Sequence, residues 1–525
     1  MLTEVTEPPL SPETPRRIPH LSRIVTSFAW LVTETISARI VAFLSQLVLA
    51  YLLVREDFGL FVQTNLVRSL ADLIATPGFR ILLIQRHAEF NRIATPVFWL
   101  SAILGLLCSA IIVVVAFLSE AVESPIALAM ILIVASSVPF RALSVLPEAA
   151  LRIRMQFAEI AFLGLLAVLL TAVISIVLAY MGFGALSLVI PFPIVAIVQL
   201  FIAWWLTRPK VAFLFSLKDC GEVIQSTSIL FASRLLTFFS ANVDYFFLLM
   251  FHSKEVVGLY FLAFNMSTQT IRLFSDTLVQ VLMPAMAHTS EVEKQSRISL
   301  RATRMIALIV IPGCVLLAVL APQVVALCFR PEYLGMIPML QVLCLGMAFR
   351  CVGAISNALL NAQGRFGTVL WFDATTTILF GVSVGLAAWL GTAVHVAVVV
   401  GVNVIVRMVL LQRASLRNSQ IAISEAVGSY MYPAFVSLLS GVATQVLYHS
   451  LAVHISGDLG ALIVKGCLFC VLYLSLASIT MKKDVKATFG WIGSLWHKIF
   501  HWTFEGKFPK SHQSRISERG PGSES

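Results

Sequence analysis

Charge is scarce in this sequence. Of its 525 residues only 12% are Asp, Glu, Lys or Arg, and 58% are hydrophobic, whereas a soluble domain carries about 25% charge. With a mean hydropathy of +0.91, the class left is a polytopic membrane protein. Nucleotide and catalytic signatures are also missing. There is no P-loop, so this chain does not hydrolyse ATP. No HExxH, paired CxxC, GxSxG or Gly-rich dinucleotide fingerprint sits in a context that supports its chemistry. The eight cysteines (108, 220, 314, 328, 344, 351, 467 and 470) are scattered through apolar runs, and Cys467 and Cys470 form a CxxC with no second pair. They read as small apolar fillers, so no disulfide framework, metal site or cofactor is expected. The ten histidines are dispersed and read as structural or interfacial.

What the sequence does have is long apolar runs, and the stretch from Ile24 to Arg86 sets their pattern. Two runs flank the charged turn Arg55-Glu56-Asp57. Each exceeds the roughly 20 residues a helix needs to cross a hydrocarbon core. Each also carries ions near mid-span: Glu34 and Arg39 in the first, Arg68 and Asp72 in the second. Ions at that depth are costly unless they face protein or water, so this hairpin is expected to line something polar. Further runs follow, giving spans near 24–53, 58–85, 95–118, 125–147, 158–180, 184–206, 223–250, 257–287, 302–329, 336–361, 367–390, 392–412, 429–448 and 459–480. The expected fold is all-α, with about fourteen transmembrane helices. The first run is too long for the apolar core of a cleavable signal and is expected to remain as a span.

The loops orient the chain. With the N-terminal tail inside, the inside loops and tails hold twenty Lys and Arg, against three outside (Arg55, Lys254 and Arg330), each beside an acid. This positive-inside pattern places both termini in the cytoplasm and accounts for most of the +10 net charge without nucleic acid. The outside loops are short, which leaves no room there for a catalytic domain. Pro147 to Phe157 reads as a short amphipathic inside segment lying at the interface, and the tail beyond Lys482, with Trp491, Trp496 and Trp502, as a second one before a disordered end.

An internal repeat is visible. Glu56-Asp57-Phe58-Gly59-Leu60-Phe61 after span 1 and Glu255-Val256-Val257-Gly258-Leu259-Tyr260 after span 7 share E-x-x-G-L-aromatic at an offset of 199 residues. Six intervening spans preserve orientation, so the chain reads as two parallel halves. The intramembrane charges follow the repeat. Arg68 and Asp72 lie four apart on one face of span 2, and Arg272 and Asp276 repeat that spacing in span 8. Such pairs can also simply neutralise each other and lock helices together. Arg39, Arg234 and Arg350 have no obvious local partner. Guanidinium groups in a low-dielectric cavity suit a phosphate or pyrophosphate, which they grip bidentately. Arg39, Arg68, Arg234, Arg272 and Arg350 are therefore the candidate substrate ligands. Glu34, Asp72, Asp244 and Asp276 are candidates for charge balance or for binding a coupling H⁺ or Na⁺. Arg80, Arg141 and Lys465, near span ends, read as snorkelling side chains.

These features resemble the Wzx-type bacterial oligosaccharide flippases, the polysaccharide-transporter branch of the multidrug/oligosaccharidyl-lipid/polysaccharide superfamily. The resemblance rests on Arg55-Glu56-Asp57-Phe58-Gly59-Leu60, Gly78-Phe79 through Ile84-Gln85-Arg86, Asn242-Val243-Asp244, Gly258-Leu259-Tyr260, Ala263-Phe264-Asn265 and Val281-Leu282-Met283-Pro284-Ala285. Ala321-Pro322, Leu340 to Leu345 and Ala362-Gln363-Gly364-Arg365 fit the later half, so it covers about 22–480 in order. Val256-Val257 makes the second turn less typical. Exopolysaccharide exporters are the nearest group. The resemblance implies two six-helix lobes around a cationic cavity, here residues 23–213 and 214–425, with two extra helices over 426–481 between cytoplasmic tails 1–22 and 482–525. It also implies an undecaprenyl-pyrophosphate-linked oligosaccharide moved across the bacterial inner membrane. A polysaccharide polymerase or chain-length regulator is the protein partner it implies, with membrane lipid around the bundle. The competing readings are a membrane-embedded polymerase or acyltransferase, which the short outer loops disfavour, and a drug or peptidoglycan-precursor exporter of the same superfamily.

Overall fold

The computed structural model describes residues 21–119, 124–209, 211–212, 217–287, 289, 291–451, 457–482, 484, 486 and 490, without the side chains of 21–33, 217, 270, 272–285, 287 and 451. The described chain is helical throughout. The hairpin is α1 (Leu21–Leu52) and α2 (Arg55–Ala75), joined at Leu53 and Val54. Arg55, Glu56 and Asp57 are thus the first turn of α2 rather than the connection, and the Asp57 carboxylate accepts the Val54 amide at 3.1 Å. Pro77, which has no N–H, and Gly78 at φ 87° interrupt the second span, which resumes as α3 (Phe79–Gln85). Then come α4 (Phe90–Leu118), α5 (Pro125–Ile153), α6 (Phe157–Tyr180) and α7 (Pro191–Thr207). A second series follows: α8 (Leu217–Phe251), α9 (Lys254–Ala287), α10 (Val292–Cys328), α11 (Ile337–Met347), α12 (Arg350–Ala362), α13 (Phe366–Leu390) and α14 (Ala393–Leu416). The chain continues as α15 (Ile423–Leu451) and α16 (Asp458–Thr480).

Among the described residues, twelve segments are long and apolar enough to cross a membrane, with α11 and α12 forming one of them. Together with α2–α3 and α9, they correspond to the fourteen spans read from the sequence. α2 falls outside the twelve and packs against α9, α5 and α4. Helices facing protein on most sides need not be as apolar as those facing lipid. Outward-facing Leu106, Val114, Phe117, Phe201 and Trp389 mark the lipid side of other helices.

Packing sorts the helices. In the first series α4 lies on α5, α1 on α6 and α5 on α7, whereas in the second α14 lies against α11, α12 and α13, and α8 against α13. α15 and α16 pack on α10, where Tyr473 of α16 donates to the Leu308 carbonyl at 2.9 Å. That buried bond is worth about 0.5–1.5 kcal/mol. Tyr473→Phe is expected to lower the thermal unfolding midpoint of the purified protein measurably. An unchanged midpoint would show that α16 is held by apolar packing alone.

Two local expectations change. The stretch 147–157 is not a separate interfacial segment: α5 continues to Ile153 and buries Pro147, Ala149, Ala150 and Leu151. Lys465 does not snorkel. It is only 5% exposed, and its ammonium lies 4.5 Å from the Tyr448 ring centroid. The expected C-terminal amphipathic segment with its three tryptophans lies outside the described residues.

Candidate substrate cavity

The repeat read from the sequence marks the place where the two series meet. Gly59 of α2 lies against the backbone carbonyl of Lys254, and Gly258 of α9 lies against that of Arg55. The contacts are reciprocal, and a β-carbon at either glycine would overlap the facing backbone. Aromatic side chains pack directly beneath. Phe58 stacks on Phe261 (6.4 Å between centroids) and meets Tyr333 edge-on, while Phe61 meets Phe261 at 5.6 Å. The Tyr333 hydroxyl donates to the Leu53 carbonyl at 2.8 Å. This end of the bundle is shut by backbone contact and an aromatic layer in which Phe58 and Tyr333 are buried.

Below that layer is a cavity of about 530 Å³, with Phe58, Phe61 and Phe261 in its roof. Gln46 of α1, Arg68 of α2, Arg141 of α5, Gln199 of α7 and Asn265 of α9 supply its polar lining. Arg68 is held in place. It donates to Asn65 at 2.8 Å, reaches Asp72 at 3.3 Å, and lies 4.5 Å from the Phe192 ring centroid. Asp72 also accepts from Arg141 at 2.9 Å through the same oxygen, while its Oδ1 is buried without a hydrogen-bond partner among the described residues. One carboxylate therefore serves two guanidinium groups, leaving a surplus of one positive charge at a half-buried wall. Arg141, which sequence reading assigned to snorkelling, is brought here by the crossing of α5 and α2. The available sequence signal was a lone arginine in an apolar run with no acid nearby.

Glu34, Arg39, Arg234, Asp244 and Arg350 lie outside this lining. Glu34 and Arg39 act on each other along α1, with the Glu34 carboxylate against Gly164 of α6. Asp244 of α8 is 2% exposed and accepts from Tyr260 at 2.8 Å, with Arg350 as its charged neighbour at the start of α12. Arg234 of α8 feels Arg80, which also acts on Arg152 and pairs with Glu148 at 2.6 Å. That second basic group sums to three arginines and one carboxylate. Arg272 and Asp276 fall on α9, and their side chains are not among those described.

At the other end, the one carrying Arg86 and Arg92, the two series are joined by exposed ion pairs. Arg86 reaches Glu222 of α8 at 2.6 Å and Ser226 at 3.1 Å, and Arg92 reaches Glu222 at 2.7 Å and Asp219 at 3.3 Å. Exposed pairs contribute little net stability. The two closures therefore differ: backbone and aromatic packing at one end, solvated charge pairs over the buried Val223 of α8, packed among Phe79, Leu83 and Val97, at the other.

Comparison with known proteins agrees with this architecture. The lipopolysaccharide biosynthesis protein WzxC of Escherichia coli strain K12 is 22% identical over 453 residues, 83% of this chain and 89% of that protein. The succinoglycan biosynthesis transport protein ExoT of Rhizobium meliloti strain 1021 is 20% identical over 466 residues, 88% of this chain and 94% of that protein. Among solved structures, the lipid II flippase MurJ in an inward closed conformation superposes with a TM-score of 0.73 at 14% identity, over 87% of this chain and 99% of that one. At that identity the match shows a shared fold. The pattern of the family described as polysaccharide biosynthesis protein matches residues 48–338, more than half of the sequence, and the chain belongs to that family.

Proposed function

We propose that this protein carries a lipid-linked oligosaccharide, pyrophosphate first, from the inner to the outer leaflet of the bacterial cytoplasmic membrane, for exopolysaccharide or lipopolysaccharide assembly. The observation that carries this reading is the charge count at the cavity wall: Arg68 and Arg141 share Asp72, so one guanidinium charge is left for an anion. A forked, planar donor suits pyrophosphate. Gln46, Gln199 and Asn265 supply neutral hydrogen-bonding groups of the kind sugar hydroxyls need. Family membership supports the same reading, as does the similarity to the lipopolysaccharide biosynthesis protein WzxC and the succinoglycan transport protein ExoT.

Two lobes, 23–213 and 214–425, rock about this cavity, with 426–481 as an accessory helix pair. The glycine–aromatic closure faces outward and the ion-paired closure inward, a reading the distribution of Lys and Arg supports. The inner closure, built in part of solvated charge pairs, opens to the cytoplasm, where the substrate is made. Arg39, Arg234, Arg272 and Arg350 lie along the path of the headgroup. Energy comes from H⁺ or Na⁺, with Asp244, Glu34, Asp72 and Asp276 as the acids available to bind it. The glycan then passes to a polymerase and its chain-length regulator.

Two experiments test this. Single cysteines at Lys254 and Glu332 should react with an impermeant thiol reagent outside, and those at Arg154 and Lys294 only after permeabilisation. External labelling at Arg154 would overturn the orientation. In proteoliposomes, polyprenyl-pyrophosphate oligosaccharide should flip only with the protein present, and flipping should slow when proton and sodium gradients are collapsed. Undiminished flipping without gradients would remove the coupling while leaving the transport reading intact.

A further inference from the structure

A second, larger cavity of about 840 Å³ opens where α13 begins and α14 ends, away from the cavity between the two series. Its rim holds Arg365, Arg413 and Arg417, and its walls are apolar, built by Trp371, Phe372 and Ile423 with their neighbours. Among the described lining residues there is no carboxylate. Arg365 is fixed by donating to the Ala414 carbonyl at 2.7 Å. Arg413 and Arg417 are exposed and make no hydrogen bond or ion pair among the described residues. The nearest intramembrane acid on these helices, Asp373, is already taken by Arg407 at 2.6 Å. The lining thus carries three positive charges, and a carboxylate at its edge, Glu293, which accepts the Gln420 amide at 3.0 Å, is paired with Arg297 at 3.0 Å. Trp371 (64% exposed), Phe366 (62%) and Ile423 (56%) surround it with lipid-facing apolar surface.

Three features call for one kind of ligand. The surplus of positive charge favours an anion, and the arginine forks favour a phosphate. The apolar walls, continuous with the membrane face, accept hydrocarbon. The position in the basic end of the bundle is where an anionic leaflet presents its headgroups, and basic pockets between helices on that side recognise them. The carbonyls at the C-terminus of α14 favour nearby cations but are too small a counter-charge for three arginines. We propose that Arg365, Arg413 and Arg417 form a binding site for the phosphate headgroup of a membrane lipid, separate from the substrate cavity.

The test is binding, not transport, so it stands apart from the function proposed above. Purified full-length protein is titrated with phosphatidylglycerol and with phosphatidylcholine, and lipid adducts are counted by native mass spectrometry. Phosphatidylglycerol should bind at least roughly tenfold more tightly, equivalent to about 1.4 kcal/mol. Arg413→Gln/Arg417→Gln should remove that preference, and Arg413→Lys/Arg417→Lys should retain most of it. If the glutamine variant folds poorly, the single change Arg417→Glu, at an exposed position, should weaken binding by a similar factor. The preference should also fall with added salt in the wild type and the lysine variant, while the glutamine variant shows no salt-dependent preference. Displacement of phosphatidylglycerol by polyprenyl phosphate supports the site and identifies the carrier lipid as a ligand. Equal binding of both phospholipids, unchanged binding in the glutamine and glutamate variants, or displacement by inorganic phosphate at the same concentration as by lipid would overturn the proposal.

Discussion

Replacing Arg68 and Arg141 together with glutamine is expected to abolish glycan export while the protein remains in the membrane near its normal amount. Each guanidinium makes charge-assisted contacts worth about 1.5–3 kcal/mol to an anionic partner, so losing both should weaken substrate binding roughly a hundredfold or more. Abundance is preserved because Asp72, left without either arginine, already sits at a partly wet wall and is 22% exposed. The single change Arg68→Ala is milder in both respects, since Asp72 keeps its 2.9 Å bond to Arg141. Asp72→Ala should be the most damaging to folding, because it leaves two guanidinium groups side by side without a carboxylate. The order expected in an immunoblot is therefore Arg68→Ala above Asp72→Ala, with Arg68→Ala/Asp72→Ala closer to wild type than Asp72→Ala alone. If export and abundance both recover in that last variant, the Arg68–Asp72 pair is scaffold rather than ligand.

The second large effect is expected at the glycine crossing. Gly59→Leu and Gly258→Leu place a side chain where only backbone fits, against the Lys254 and Arg55 carbonyls respectively. The helices cannot absorb this by side-chain rotation, since the obstacle is main chain, so α2 and α9 must separate at their outer ends. Export should fall to background in both variants. A cysteine at Phe61, just under the aromatic layer, should become reactive to an impermeant reagent from outside in the Gly59→Leu background and stay protected in the wild type. Cys467 and Cys470, the exposed native thiols, are replaced with serine for this experiment. Normal export by both leucine variants would mean that the crossing does not hold the outer closure.

The spans were legible because long apolar runs separated by charged turns leave a helix few alternatives in a bilayer. The ends of α6, α9 and α16 fall within a few residues of the expected bounds. The repeat was legible too, as six residues at a fixed place in the topology. What the sequence could not convey was that the two copies touch, each glycine facing the other copy's carbonyl. That depends on the rotation of α2 against α9, which no local pattern encodes. Arg141 was hidden for the same reason: its partner Asp72 is 69 residues away in sequence. Lys465 was misread because an aromatic face, Tyr448, satisfied it from a neighbouring helix. The grouping of five arginines rested on charge type alone. The structure seats Arg68 beside a cavity and places Arg39, Arg234 and Arg350 in other charge neighbourhoods, a distinction set by helix register.

The central claim is that the cavity wall bearing Arg68 and Arg141 holds the pyrophosphate of a lipid-linked glycan. The most direct measurement is equilibrium binding of a polyprenyl-pyrophosphate oligosaccharide to purified wild-type protein and to Arg68→Gln/Arg141→Gln, with the corresponding neutral polyprenyl alcohol as the control ligand. The account predicts saturable binding of the pyrophosphate ligand to the wild type, a loss of roughly a hundredfold in the variant, and weak binding of the alcohol to both. Equal affinity of wild type and variant for the pyrophosphate ligand would contradict it.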